Sequence, residues 1–370
     1  MHATSSLAEA DRLMTVCNSC RYCEGICAVF PAMEMRRAFS DGDLNYLANL
    51  CHSCGACYYD CQFSPPHEYN VNVPKVLAQV RTESYEAYAW PRFLSGSFQR
   101  NGLVISIVTA LCIAGFIIGF VAFHDASVLF GVHRGQGSFY KLMPHNAMAA
   151  LFGLAFLYAL VAISMGVRNF WGDIGEPAGA LMQGSSLWQA IRDASTLRYL
   201  DGGGVGCMNE DEKPTDRRRL FHHFTFYGFL LCFAATSAAT AYHYLLRVEA
   251  PYPWYDLPVL LGTFGGVGLV VGPLGLLREK WRRDPILQDR QKYGMDIAFL
   301  AMLFMTSLTG LALLLLRATP AMGLLLALHI GIVFSLFVTM PYGKFVHGFY
   351  RFVALVRYAK ERRELAGGHA

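Results

Sequence analysis

The sequence predicts an all-α protein in two parts, a cysteine-rich module over residues 1–100 and a six-helix transmembrane bundle over residues 101–370. Two observations predict this division. Eight of the eleven cysteines lie before residue 62 in two copies of one pattern, and six long apolar runs follow residue 100. Hydrophobic residues make up 54% of the chain and charged residues 16%, which is too apolar for an ordinary soluble protein.

The cysteines of the module form two runs with the same spacing, C-x2-C-x2-C-x3-C. The first run is Cys17, Cys20, Cys23 and Cys27, and the second run is Cys51, Cys54, Cys57 and Cys61. This is the ligand spacing of bacterial ferredoxins, so it predicts two [4Fe-4S] clusters. Because the fourth cysteine of such a run usually reaches the other cluster, we expect crossed ligation. The first cluster would use Cys17, Cys20, Cys23 and Cys61, and the second would use Cys51, Cys54, Cys57 and Cys27.

Zinc sites and disulfides explain these cysteines less well. Zinc sites commonly use two CxxC pairs, whereas each run already holds four cysteines within eleven residues. Disulfides need an oxidising compartment, and the N-terminus has no basic segment followed by an apolar run. We therefore expect the module to lie in the reducing cytoplasm. The spacer between the runs predicts a helix capped by Ser40 or Asp43, which favours an α-helical ferredoxin-like module.

The apolar runs predict membrane-spanning helices. They cover residues 103–123, 146–167, 224–246, 257–277, 297–316 and 321–343, and none of them contains Asp, Glu, Lys or Arg. Each is close to the ~20 residues that a helix needs to cross a hydrocarbon core about 30 Å thick. Buried helices of a soluble protein would show polar stripes, which these runs lack.

The distribution of lysine and arginine predicts the orientation of the bundle. Segments 168–220, 278–294 and 344–370 carry seven, six and six of these residues, whereas the alternate loops carry four between them. The positive-inside rule therefore places both termini in the cytoplasm, in a bacterial inner membrane. The same rule accounts for Arg217, Arg218 and Arg219, and the net charge of only +4 gives no reason to expect a nucleic-acid partner.

Histidines on the third and sixth spans are candidate haem ligands, because an imidazole in or beside lipid needs a ligand or a hydrogen-bond partner. His329 and His347 are 18 residues apart, which is five helical turns and about 27 Å. His222 and His243 are 21 residues apart, about 60° short of six turns. The spacing predicts bis-histidine binding of one or two b-type haems, with the pairs His243–His329 on the outer side and His222–His347 on the inner side.

Alternatives to these ligands remain open. His145 is an alternative on the outer side, His124 is a weaker one, and His223 is an alternative to His222. Pro341 and Gly343 are expected to kink the sixth span before His347, which weakens the spacing argument there.

Other sequence patterns exclude several functions. No P-loop or zinc-protease motif occurs, and a flavin or nicotinamide domain would not fit within the cysteine module. Any oxidation of an organic substrate must therefore occur on another subunit. His52 and His67 are expected to tune or shield a cluster, whereas Cys112, Cys207 and Cys232 are isolated and predicted to be structural.

The two cysteine runs, the segment RRRLFHHFTFYGFLLCFAAT and the segment MPYGKFVHGFYRFV together resemble the tricarballylate-utilisation protein B family (TcuB, also called CitB-type). The membrane part is also partly similar to the cytochrome b subunit of respiratory nitrate reductase, in which two histidines spaced like His329 and His347 serve different haems. That subunit has one span fewer, so the helix correspondence is partial. The family resemblance implies that the chain reoxidises the FAD of a partner tricarballylate dehydrogenase (TcuA-like).

We therefore expect an electron-transfer subunit that passes electrons from a reduced flavoprotein through two [4Fe-4S] clusters and haem b to the quinone pool. Two alternatives remain. The relay could run in reverse, with quinol feeding a cytoplasmic reductase, because sequence does not fix the potentials. A membrane redox sensor or transporter with iron-sulfur clusters is the second alternative, and it predicts no haem.

Overall fold

The computed structural model describes residues 2–367 except 205, 210 and 212. Within these ranges the chain is helical and has no β-strand, only an isolated bridge between Cys207 and Thr215. The α-helices are α1 (Ser5–Cys20), α2 (Val29–Glu34), α3 (Asp41–Leu50), α4 (Ala56–Tyr59), α5 (Val73–Tyr88), α6 (Asn101–Phe123), α7 (Ala126–Leu129), α8 (His145–Asp173), α9 (Gly184–Ser195), α10 (Arg217–Ala241), α11 (Leu257–Arg282), α12 (Tyr293–Leu316), α13 (Met322–Thr339) and α14 (Val346–Gly367). The all-α prediction is confirmed.

Shorter helical segments connect or extend these elements. The 3₁₀ segments are Arg92–Phe98, Ser138–Lys141, Ala178–Met182, Gly202–Gly204, Pro285–Leu287, Arg290–Lys292 and Met340–Tyr342. A π-helical turn, Tyr242–Leu246, continues α10. In the cysteine module, α3 begins with the predicted cap, since Ser40 accepts a hydrogen bond from the Asp43 N–H and the Asp43 carboxylate accepts one from the Ser40 N–H.

Six helices among the described residues are long and apolar enough to cross a membrane. They are Asn101–Phe123, His145–Asp173, Arg217–Leu246, Leu257–Arg282, Tyr293–Leu316 and Met322–Tyr342. Each contains one predicted run, apart from single residues at the ends of the last. The chain is therefore a multi-pass membrane protein by the length and composition of its helices.

Glycines allow α10 and α11 to pack closely. A Cβ atom at Gly228 on α10 would lie 2.9 Å from the carbonyl oxygen of Gly265 on α11, and one at Gly268 would lie 3.0 Å from the carbonyl oxygen of Phe224. Small residues at such positions let two helix backbones approach in a membrane. This contact limits the rotation of α10, and thus the directions in which its histidines point.

One continuous core joins the cysteine module to the bundle. Buried residues of α1, α3 and α5 pack with α14 and with one end of α8, α12 and α13. We call this end of the bundle the near end and the opposite end the far end. Asn101, at the start of α6, donates a hydrogen bond to the carbonyl of Tyr342, so the first and sixth spans meet at the near end.

The sixth span is broken before His347. Its α-helix ends at Thr339, a 3₁₀ turn covers Met340–Tyr342, and Gly343 is extended with φ −145°. Asp296 on α12 holds the break in place through ion pairs with Lys280 at 2.6 Å and Lys344 at 2.9 Å. His329 and His347 therefore lie on two separate helices, and the five-turn spacing does not describe their relation.

An ion-pair network fastens the end of α14 to the cysteine module. The carboxylate of Glu361 accepts hydrogen bonds from Arg36, from Arg357 at 2.9 Å and from the Tyr46 hydroxyl at 3.0 Å. Arg36 also donates to Asp43 at 2.7 Å. The two arginine side chains are only 9% and 11% exposed, so these charges depend on their partners for solvation.

We expect Glu361→Gln to lower the free energy of unfolding by about 2 kcal/mol, less than the ~3–5 kcal/mol for breaking a fully buried pair. Arg36 and Arg357 would lose one of the two carboxylates that they share, and only Asp43 would remain. Thermal unfolding in detergent measures the change. Glu364→Gln is the matched control, because this side chain is 64% exposed and lies 3.8 Å from Lys360. Equal melting temperatures of the two variants would contradict the prediction.

Candidate functional site

The first cysteine run follows a helix that ends abruptly. Cys17 and Cys20 lie in the last turn of α1, and Arg21 then adopts a left-handed conformation with φ 58°. The Arg21 N–H donates to the carbonyl of Cys17 at 2.8 Å. This reversal brings Cys23 back toward the helix end, so that thiols from a helix and from a turn surround one position.

The second run folds around a glycine. Cys51 follows α3, and Gly55 has φ +93°, a conformation that favours glycine. A Cβ atom at Gly55 would lie 2.6 Å from the carbonyl oxygen of Met208, so the loop after α9 packs directly on this turn. Cys57 then lies in the short helix α4.

The thiols form two groups, and each group contains the fourth cysteine of the other run. Burial, followed by the charges of three neighbouring thiols, raises the pKa of Cys17 to about 12, and these thiols are Cys23, Cys61 and Cys20. Burial and then Cys54 and Cys51 raise the pKa of Cys27 well above its usual range. Burial and then Cys54, Cys27, Cys51 and lastly Cys23 do the same for the pKa of Cys57. Cys61 of the second run is thus a neighbour of Cys17, and Cys27 of the first run is a neighbour of Cys57.

Within the described ranges, no group of three His, Cys, Asp or Glu side chains has the tight arrangement that a single metal ion requires. A zinc ion binds each thiolate at about 2.3 Å, so its ligands converge on one point. In a [4Fe-4S] cluster each thiolate binds a different iron, so the ligands need not converge.

Cys207 lies beside the second run, although the sequence predicts it to be isolated. Burial and then the charge of Cys207 raise the pKa of Cys54 to about 12. The N–H of the next residue, Met208, donates to the carbonyl of Cys54 at 3.1 Å. The near-end loop that carries Cys207 therefore covers the second run.

Two of the predicted haem ligands meet at the near end. The rings of His222 on α10 and His347 on α14 have centroids 6.2 Å apart, with an angle of 72° between the ring planes. With metal–nitrogen bonds of about 2 Å and about 1.1 Å from nitrogen to ring centre, two opposite axial imidazoles have centroids about 6 Å apart. The separation of this pair fits a bis-histidine iron.

The hydrogen bonds of these two histidines also fit metal binding. Nδ1 of His347 donates to the carbonyl of Lys344, which leaves Nε2 as the free acceptor. Burial, followed by the cations Lys344 and Arg351, holds the pKa of His347 well below its usual range, so the ring is neutral and can bind a metal. Nδ1 of His222 is buried and has no hydrogen-bond partner among the described residues.

At the far end, His243 contacts His145. Their rings stack with centroids 3.4 Å apart and planes 13° apart, which leaves no room for an iron between the faces. Nδ1 of each ring is buried and has no hydrogen-bond partner in the described part of the chain. His145 is thus the ring partner of His243 in this structure, at the end predicted for an outer haem.

His329 faces α12. Its Nδ1 lies 3.1 Å from the hydroxyl of Thr309, whose own proton goes to the carbonyl of Met305 at 2.7 Å. Nδ1 of His329 is therefore the donor, and Nε2 remains free for a metal. Gly310 leaves space for the imidazole, since a Cβ atom there would lie 3.0 Å from Cε1 of His329.

The other histidines lie elsewhere. The ring of His223 is 5.9 Å from that of Tyr227, and His124 bonds to the carbonyls of Phe120 and Lys141. His67 accepts a hydrogen bond from the Tyr69 N–H. Burial, followed by the charges of Arg351, His222 and Arg218, holds the pKa of His52 well below its usual range.

Comparison with known proteins decides the family. A family model described as Citrate utilization protein B matches residues 98–368, and one described as its Fer4-like domain matches residues 10–87. Citrate utilization protein B of Escherichia coli is 47% identical over 362 residues, which is 97% of this chain and 94% of that protein. The chain belongs to the citrate utilization protein B family. No solved structure matches it.

Membership of the citrate utilization protein B family confirms the resemblance seen in the sequence. The Fer4-like domain covers both cysteine runs, which indicates iron-sulfur clusters and an electron-transfer role. The clustered cysteines and the six apolar helices agree with a membrane protein of this kind.

Some site residues of this citrate utilization protein B family member are not evident from the cysteine and histidine patterns. Arg218 and Arg351 contact the second run. From the sequence, the positive-inside rule alone accounts for Arg218. A signal was available, because Arg218 precedes His222 by four residues and Arg351 follows His347 by four. Residues four apart share one face of a helix.

Proposed function

We propose that this protein accepts electrons from a reduced flavoprotein at the cysteine module and passes them through two [4Fe-4S] clusters and haem b to quinone. One observation carries the proposal. The ring separation of the His222–His347 pair fits two ligands of one iron, and the arginines one turn from these histidines, Arg218 and Arg351, bind backbone carbonyls of the second cysteine run. A histidine pair next to a ferredoxin-like module supports transfer between two redox groups.

The proposed cluster ligands follow the grouping of the thiols. One cluster is held by Cys17, Cys20, Cys23 and Cys61, and the other by Cys51, Cys54, Cys57 and Cys27. The raised pKa values of Cys17, Cys27 and Cys57 support these sets, because burial and neighbouring thiols are the causes. Thiols that are costly to ionise alone are stabilised as thiolates by a bound metal.

The proposed haem ligands are His222 and His347 at the near end. For a second haem we propose His243 and His329 at the far end, with His145 as the alternative. The stacked His145–His243 pair would have to separate to admit an iron. The free Nε2 of His329 and the space beside Gly310 support His329 as a ligand.

When bound, the clusters and haem supply one-electron redox chemistry, which splits the electron pair of a flavin. The residues of the chain hold these groups and exclude water. The carbonyl of Lys344 orients His347, and the ion pairs of Asp296 fix the break that carries Lys344. The core shared by the cysteine module and the near end keeps the path between the groups dry.

The partner and the orientation belong to the same proposal. We propose residues 1–100 as the cytoplasmic domain and residues 101–370 as the membrane domain, with both termini in the cytoplasm of a bacterium. The flavoprotein is an FAD-dependent dehydrogenase of the TcuA-like class that oxidises a tricarboxylate. Family membership supports a dehydrogenase partner and a membrane setting.

The test is the cofactor content of the membrane-extracted protein. We expect a b-type signal in the dithionite-reduced minus oxidised spectrum, one or two haems per chain by pyridine haemochrome, and about eight non-haem irons. Iron-sulfur clusters without haem would contradict the proposed relay and favour a redox sensor or transporter.

A further inference from the structure

Each histidine of the near-end pair has an arginine one helical turn away. On α10, Arg218 precedes His222 by four residues, and on α14, Arg351 follows His347 by four. Residues four apart lie on the same face of a helix. Two separate helices thus present the same combination of side chains, an imidazole and a guanidinium, toward the cysteine module.

Both arginines bind the backbone at the start of the second run. Arg218 donates to the carbonyls of Ser53 at 2.7 Å and His52 at 3.0 Å. Arg351 donates to the carbonyl of Cys51 at 2.7 Å and to the carbonyl of Asn49 at 3.2 Å. The two helices that carry the histidine pair therefore also hold the segment 49–53.

A third arginine completes this contact from within the cysteine module. Arg81 on α5 donates to the carbonyl of Cys51 and to the hydroxyl of Ser53 at 3.3 Å. Its side chain is buried. The carbonyl of Cys51 thus accepts hydrogen bonds from two arginines, one on each side of the boundary between module and bundle.

The segment held in this way has an unusual backbone. Ser53 has φ 50°, a left-handed conformation that is rare for residues other than glycine, asparagine and aspartate. In this conformation the Ser53 N–H donates to Sγ of Cys51 at 3.3 Å, and its carbonyl faces Arg218. The arginine contacts stabilise a conformation that gives the Cys51 sulfur a hydrogen bond.

The charge of this region is positive. Within the described ranges, no carboxylate lies within ion-pair distance of Arg81, Arg218 or Arg351. An arginine side chain stays protonated in proteins, so the three guanidinium groups make this region positive. A [4Fe-4S] cluster with four thiolates becomes more negative when it is reduced, so nearby cations favour the reduced form.

We infer that Arg218 and Arg351 are positioning residues that fix segment 49–53 against the His222–His347 pair, raising the reduction potential of the cluster at the second run and shortening its path to the haem. The identity of the two redox groups rests on the proposed function. In the step, one electron leaves the reduced cluster and enters the ferric haem iron, which becomes ferrous. No covalent bond forms or breaks and no proton moves.

The test compares Arg218→Gln and Arg351→Gln in the full-length purified protein. We expect each change to shift the reduction equilibrium of one cluster toward the oxidised form at least tenfold, which is about 59 mV for one electron. EPR-monitored redox titration measures this shift, and the other cluster serves as an internal reference. We also expect electron transfer from cluster to haem to slow at least tenfold in rapid-mixing experiments.

Matched controls separate these effects from a general change of charge. Arg217→Gln removes the exposed arginine next to Arg218, and Arg362→Gln removes an exposed arginine further along α14. Both controls should keep the wild-type potentials. Unchanged potentials and rates in both Arg218→Gln and Arg351→Gln would overturn the inference.

If a glutamine variant loses its cluster, the corresponding lysine variant is measured instead. Arg218→Lys and Arg351→Lys keep the charge but cannot bind two carbonyls with a planar fork. We expect them to retain the potential and to slow transfer to the haem, and wild-type rates in both would overturn the positioning role. A wild-type protein with clusters but no haem would contradict the proposed function. It would not contradict the inference about the arginines, because their effect on the cluster potential could still be measured.

Discussion

His347→Ala should remove one b-type haem from the purified protein and leave both iron-sulfur clusters in place. His347 has a free Nε2, because its Nδ1 donates to the Lys344 carbonyl, and its ring centre lies 6.2 Å from that of His222. Removal of one axial ligand from a bis-histidine haem typically abolishes tight binding. His222→Ala should have the same effect, with a loss of at least 90% of one haem equivalent, or about tenfold.

His223→Ala is the matched control for this prediction. His223 is the neighbour of His222 in sequence, but its ring lies beside Tyr227 and the carbonyl groups at the end of α9. Pyridine haemochrome and the iron-sulfur EPR signals are measured on the same samples. Loss of haem in His223→Ala with normal haem in His222→Ala would contradict the ligand assignment.

The second large effect concerns the crossed cysteines. Cys61→Ala should abolish the same EPR signal as Cys17→Ala, and Cys27→Ala should abolish the same signal as Cys51→Ala. The reason is the grouping of the thiols, in which Cys61 lies with the first run and Cys27 with the second. Each variant should lose about four of the roughly eight non-haem irons.

Cys112→Ala is the control, since Cys112 lies on α6, away from both runs in sequence, and should retain all the iron. The crossed and uncrossed arrangements predict different results for two of the four variants, Cys27→Ala and Cys61→Ala. If Cys27→Ala and Cys17→Ala abolished the same signal, the fourth cysteine would belong to its own run and the crossed sets would be wrong.

The membrane helices were predictable because the bilayer imposes a simple criterion on composition. All six predicted runs lie in apolar helices, but several helices extend past the runs at the near end. For example, α8 continues past Arg168 to Asp173, and α10 begins at Arg217. Helical hydrogen bonding does not stop where the lipid stops, so charged residues end an apolar run without ending the helix.

The far-end histidine partner was not predictable from helix periodicity. A regular α-helix turns about 100° per residue, and this value predicts the direction of His243 on the third span. The π-helical turn Tyr242–Leu246 changes this angle at His243, whose ring then stacks on His145. A π-turn inserts an extra residue into the helical repeat, and apolar composition gives no sign of it.

The position of α14 depends on tertiary contacts that no local pattern reveals. Pro341 and Gly343 indicate a change of direction before His347, but not where the chain goes next. The contacts of Arg351 with the second run and of Glu361 with Arg36 join residues about 300 positions apart in sequence. These long-range contacts bring the histidine pair and the cysteine module together.

The most direct test of the relay follows the oxidation of the prereduced protein. Anaerobic protein in lipid vesicles is reduced with dithionite and mixed rapidly with a water-soluble quinone analogue, while haem absorbance and cluster EPR signals are recorded. The proposal predicts that haem and clusters are oxidised together in the wild type, and that the clusters of His347→Ala remain reduced for at least ten times longer. Oxidation of the clusters at the wild-type rate in that variant would contradict a path through the near-end haem.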